Sequence, residues 1–179
     1  MIYINSLLRS SVLFAAETMY DVKEAEYRLI ERIEEDMLRR IFKTGSGCPI
    51  FQLYFESGHI PARFAIKRMK IMFFRYILTQ EESSLILKFL MAQKNDYKRG
   101  DWYSEVRRIL IEFEIDMSDE HIKRTPEIVF KKIVKNQTIL AAFNYLKSKQ
   151  SKGQKGAKII YNSIELQDYW GSYSNLKLE

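Results

Sequence analysis

Apolar residues along this chain recur at three- and four-residue spacing, and runs that alternate every second residue are scarce. That period belongs to helices, which put positions i, i+3, i+4 and i+7 on one face. The pattern predicts a first helix over 2–18, with Ile4, Leu7, Leu8, Val12 and Ala15 at helical spacing. A second helix is predicted over 22–43, capped by Asp21, with Val22, Ala25, Leu29, Ile33, Met37 and Ile41 as its apolar stripe. Glu24 and Glu26 near its start, and Arg39, Arg40 and Lys43 near its end, suit the helix dipole. Gly45 then supplies a stop.

Helix punctuation continues along the chain. "CPIFQLYFESG" reads as a short helix between Pro49 and Gly58, and "PARFAIKRMKIMFFRYIL" as a longer one opened by Pro61. Thr79 and Glu82 form a capping box ahead of "QEESSLILKFLMAQK". The polar turn "NDYKRG" leads to Asp101, placed to cap "WYSEVRRILIEFEI". Ser118 can cap a short piece, and Thr125-Pro126 opens "PEIVFKKIVKNQTILAAFNYLK". "KSKQSKGQKGAK" is poor in apolar residues and reads as a flexible basic linker, while "IIYNSIELQDYW" carries signals of both helix and strand. The fold class expected is all-α: an irregular bundle of about six to seven helices with a flexible basic linker near the C-terminus.

Charge and cysteine usage narrow the setting. The formal net charge is +6 and the pI is about 9.3, which favours an anionic partner. Cys48 is the only cysteine, so no internal disulfide can form and a reducing compartment is expected. The apolar start of the chain lacks a basic leading segment and is interrupted by Arg9, so neither a secretory signal nor a membrane span is expected. An intracellular protein with no membrane partner follows. In that setting the Arg99-Gly100-Asp101 triplet is a helix entrance rather than an adhesion signal: Gly100 allows the turn and Asp101 meets the free N–H groups.

Catalytic constellations are thin. His59 and His121 have no Cys or His at metal-ligand spacing and are expected at the surface. No phosphate-binding glycine loop or nucleophile elbow is present, so no catalytic residue, metal, cofactor or small-molecule substrate is expected. The acids of the 22–43 helix, Glu31, Glu34, Glu35 and Asp36, alternate with arginines as on a solvated face. The helix opened by Pro61 is the most informative stretch. Arg63, Lys67, Arg68, Lys70 and Arg75 share one side with no acid among them, and Phe64, Ile71 and Phe74 interleave. Such a row suits a nucleic-acid backbone, with the cations on phosphates and Phe74 stacking on a base. Its plainer alternative is a core helix whose cations pair with acids elsewhere in the fold. Arg107 with Arg108, and Lys131, Lys132 and Lys135, form smaller basic clusters.

Several phrases also resemble a known family. "SLLRSSVLFAAET" followed by "RLIERIEEDMLRRIF" resembles the segment after the catalytic palm in reverse transcriptases of non-LTR retrotransposons. "LYFESGHIPARFAIKRMKIMFFRYIL", "AQKNDYKRGDWYSEV" and "IELQDYW" are similar, in order, to later phrases of those open reading frames. Ala15 stands where the family phrase has glycine, and the metal-holding aspartates of the palm are not in this chain. The resemblance implies a thumb-like segment over 1–45, a helical linker domain over 46–147, a flexible basic linker over 148–158 and a tail over 159–179. It further implies a non-catalytic, nuclear fragment that grips an RNA or RNA–DNA duplex beside the palm domain. From another class comes a helical protein-interaction module docking on such a palm or on another partner.

Overall fold

The computed structural model describes residues 13–19, 22–96 and 100–151. Among them are seven helices and no strand, so the all-α expectation holds. They are α1 (Glu24–Phe42), α2 (Ile50–Ser57), α3 (Ala62–Leu78), α4 (Leu85–Asn95), α5 (Trp102–Glu112), α6 (Asp119–Arg124) and α7 (Glu127–Ser151). The Asp21 cap, most of the predicted 2–18 helix, the linker beyond residue 151 and the 159–179 tail lie outside the described residues. The part of 2–18 that is described, from Leu13 to Thr18, is a succession of turns instead of helix. Residues 148–151, expected to open the basic linker, belong to α7, which continues through Ser151.

Local chemistry explains most of the boundaries. Asp101 Oδ1 accepts the Ser104 N–H at 2.7 Å, and Ser118 Oγ accepts the His121 N–H at 3.2 Å, so both predicted caps form. Gly58 closes α2 at φ 61°, where a residue without Cβ avoids the steric penalty of the left-handed region. At the end of α1 that conformation falls to Lys43 instead of Gly45, and the Gly45 carbonyl accepts a hydrogen bond from Arg39 at 2.7 Å. The Thr79 capping box does not form. α3 runs to Leu78, Thr79 turns its amide back onto the α3 carbonyls, and α4 begins only at Leu85 after Ser84.

Helix α3 lies at the centre, packed on α1, α4, α5, α6 and α7. Its Phe64, Ile71, Phe74 and Ile77 join Leu90 of α4, Leu110 of α5, Ile122 of α6 and Phe130 and Val134 of α7 in the main core. Burying each such side chain contributes about 1.5–3 kcal/mol. Two smaller clusters flank it. Leu38 of α1 meets Phe51, Leu53 and Tyr54 of α2 and Leu146 of α7, while Leu13, Ala16 and Tyr27 sit on Ala62, Ala65 and Ile66.

Candidate functional site

Helix α3 is packed against five neighbours, and its cations show the consequence. Arg63, Lys70 and Phe74 are 6%, 0% and 0% exposed. The Arg63 guanidinium donates to both oxygens of Glu31 and makes two bonds of 3.1 Å to Glu24. Burial pulls its pKa down, but the hydrogen bonds to Glu31 and Glu24 outweigh that and hold it above the usual arginine value. Lys70 donates to Glu105 of α5 at 2.6 Å. Lys67 donates to both oxygens of Glu112 at 2.6 and 2.7 Å. Arg75 bonds the Thr125 carbonyl at 3.0 Å and lies over the Phe130 ring. Arg68 is half-buried. Phe74 is packed among Trp102 and Tyr103, where no base can reach it.

The expected row of phosphate contacts at Arg63, Lys67, Arg68, Lys70 and Arg75, with Phe74 stacking, is therefore corrected for its central members. Buried cations in hydrogen-bonded pairs cannot exchange their carboxylates for phosphate without leaving those carboxylates unpaired in the interior. The paired core helix, the plainer alternative, describes Arg63 and Lys70, while Lys67 is half-buried and pairs with the exposed Glu112.

The carboxylates that complete this network come from a face of α1 expected to be solvated. Glu31 and Glu34 are 3% and 1% exposed, and with Tyr27 and Leu38 they form the inward face of the helix. Glu34 accepts from the Tyr54 hydroxyl at 3.0 Å and the Ala62 amide at 2.8 Å, and its other oxygen lies 2.8 Å from His59 Nε2. Ala62 opens α3 after Pro61, which has no side-chain oxygen to give, so Glu34 of α1 caps α3 from outside and complements its dipole. His59, expected at the surface, is 1% exposed and belongs to this corner. Burial first, then Glu34, pushes the Tyr54 hydroxyl well above the usual tyrosine range. Tyr145 of α7 donates to Glu31 at 3.1 Å, and Lys149 stands 3.7 Å from it. The arrangement locks α1, α2, α3 and α7 together. His59, Glu31 and Glu34 are enclosed within it.

Two apolar features are open to solvent. Much of the expected stripe of α1 faces outward: Leu29, Ile33 and Ile41 are 59%, 42% and 46% exposed, while Met37 is half-buried and Val22 packs on the cluster around Tyr27. Arg28, Arg32 and Arg40 lie exposed beside it, with Asp36. A second apolar feature is an open groove of about 570 Å³ between α3, α4 and α5, lined by Phe73, Ile77, Phe89, Leu90 and Trp102.

No family model, no curated protein and no solved structure matches the chain. Among the described residues no His, Cys, Asp and Glu side chains are grouped so that they could hold a metal ion. No described helix is long and apolar enough to cross a membrane. Exposed cations are found away from α3, on α7 at Lys131, Lys132 and Lys135 and on α6 at Lys123 and Arg124.

Proposed function

We propose that the chain is a non-catalytic helical module that docks on another polypeptide through the outer face of α1. The partner we assign is the palm domain of a non-LTR retrotransposon reverse transcriptase, the polypeptide that precedes such a segment in the family the sequence resembles. The observation that carries this reading is the inverted amphipathicity of α1. The helix keeps Glu31 and Glu34 inside and leaves Leu29, Ile33 and Ile41 in solvent. A row of that kind is favourable once another surface covers it. The three arginines beside it suit a partner face whose apolar centre is rimmed by carboxylates.

A second reading, contact with an RNA–DNA duplex, draws on the exposed lysines of α7 and the +6 net charge, and no longer on α3. The two are separated by titrating the chain against a purified palm domain and against an RNA–DNA hybrid. The docking reading expects palm binding that the Leu29→Glu/Ile33→Glu variant loses by tenfold or more, about 1.4 kcal/mol. Failure of the folded wild-type chain to bind the palm overturns it. Duplex binding that falls steeply with salt and is lost in Lys132→Glu/Lys135→Glu would support the second reading.

A further inference from the structure

The outer face of α1 carries charges as well as an apolar row, and they fall in a pattern centred on Ile33. Glu26 lies seven residues before Ile33 and Arg40 seven residues after it, and all three are exposed. Seven residues are close to two helical turns, so these positions return to one side of the helix within about 20°. Leu29, one turn before Ile33, shares that side and is 59% exposed. Arg32 and Asp36 lie exposed along one flank of it, one turn apart. The opposite side of the helix holds Tyr27, Glu31, Glu34 and Leu38 and is buried against the rest of the molecule.

The face is thus ordered along its length, with an acid at the leading end, an apolar middle and a base at the trailing end. Among the described residues Glu26, Arg32, Asp36 and Arg40 make no ion pair. One Glu26 oxygen accepts the Lys23 amide at 2.8 Å, which leaves the other open. Such a face is its own complement. A two-fold axis across α1 at Ile33 lays a second α1 antiparallel on the first, so each residue before Ile33 meets the one equally far after it in the other copy. Glu26 then lies against Arg40 at both ends, about 10 Å from the axis at helical rise. Arg32 of each copy falls beside Asp36 of the other on the same flank, and Ile33 meets Ile33 with Leu29 alongside. Opposed helix dipoles favour the same arrangement. A parallel pair does the reverse, setting Arg40 on Arg40 and Glu26 on Glu26.

We propose that two copies of this chain pair through α1 as an antiparallel two-fold dimer centred on Ile33. The proposal rests on the reading of this face as a docking surface and adds its regulation. A second copy covers the face assigned to the palm domain, so pairing and palm binding exclude one another.

Sedimentation equilibrium of the full chain over a concentration series reads the pairing. A monomer–dimer equilibrium is expected, since one helix pair makes a small interface. Ile33→Glu should leave a monomer. Arg40→Glu should weaken dimerisation by about tenfold, and Glu26→Arg added to it should restore most of that loss, because the swapped charges meet again across the axis. Both charge variants are at exposed positions, so the proposal stays testable if Ile33→Glu misfolds. In a Cys48→Ser chain, Ile33→Cys should cross-link to a covalent dimer under mild oxidation, and Lys132→Cys on exposed α7 should not. A chain that is monomeric at every concentration overturns the proposal, as does a dimer indifferent to Ile33→Glu and to the charge reversal. Palm binding separates the two readings. A monomeric chain that binds the palm overturns the pairing alone, whereas a chain that pairs through Ile33 yet never binds the palm supports the pairing and overturns the palm reading.

Discussion

Lys70 is fully enclosed, with its ammonium 2.6 Å from Glu105. Burial lowers its pKa below the usual lysine value, and the hydrogen bond from the ammonium to Glu105 opposes the shift without cancelling it. Losing one member of such a pair is worse than losing both, since the survivor keeps its desolvation cost with nothing to offset it. Lys70→Met should therefore destabilise the fold by about 3–5 kcal/mol, and adding Glu105→Leu should restore most of that loss. Urea denaturation of the two variants reads the difference. A double variant no more stable than the single one would contradict the pairing. The same logic covers Arg63, whose guanidinium meets Glu31 and Glu24 while Tyr145 closes over its face, 4.7 Å from ring centroid to guanidinium carbon.

At the scale of elements, α1 shows what a hydrophobic pattern reveals and what it hides. Leu29, Ile33 and Ile41 recur at helical spacing, so the helix itself was legible, with bounds within about two residues. Its orientation was not. Tyr27, Glu31, Glu34 and Leu38 share a face equally well, but a carboxylate counts as polar until the guanidinium that neutralises it is placed beside it. The signal lay in a complement: α3 carries five cations and no acid, so its acids had to come from other helices. Caps formed by one side chain on its own helix, Asp101 and Ser118, were legible because they need no tertiary information. The start of α4 was not, since Thr79 is held by the last turn of α3 and Ser84 takes its place. The two faces of α1 should differ in stability. Leu38→Ala should cost about 2–5 kcal/mol, as for a fully enclosed leucine, and Ile33→Ser should stay within about 0.5 kcal/mol. Equal losses in chemical denaturation would place the wrong face inside.

For the whole molecule, the net charge of +6 does not sit where the sequence concentrates it. Three of the five α3 cations are held by carboxylates of α1 and α5, and exposed positive charge lies on other helices, among them Arg28, Arg32 and Arg40 of α1, Lys123 and Arg124 of α6 and Lys131, Lys132 and Lys135 of α7. The molecule is thus a bundle organised around a cationic central helix, with an apolar row exposed on α1 and an open apolar groove at α3, α4 and α5. Its central claim is the inward orientation of α3. Lysine acetylation in native buffer, followed site by site by mass spectrometry, tests that orientation most directly. Lys123, Lys132 and Lys135 should react as exposed amines, while Lys70 should react only through global unfolding, slower by about a thousandfold or more. Rapid modification of Lys70 at the rate of Lys132 would contradict the account.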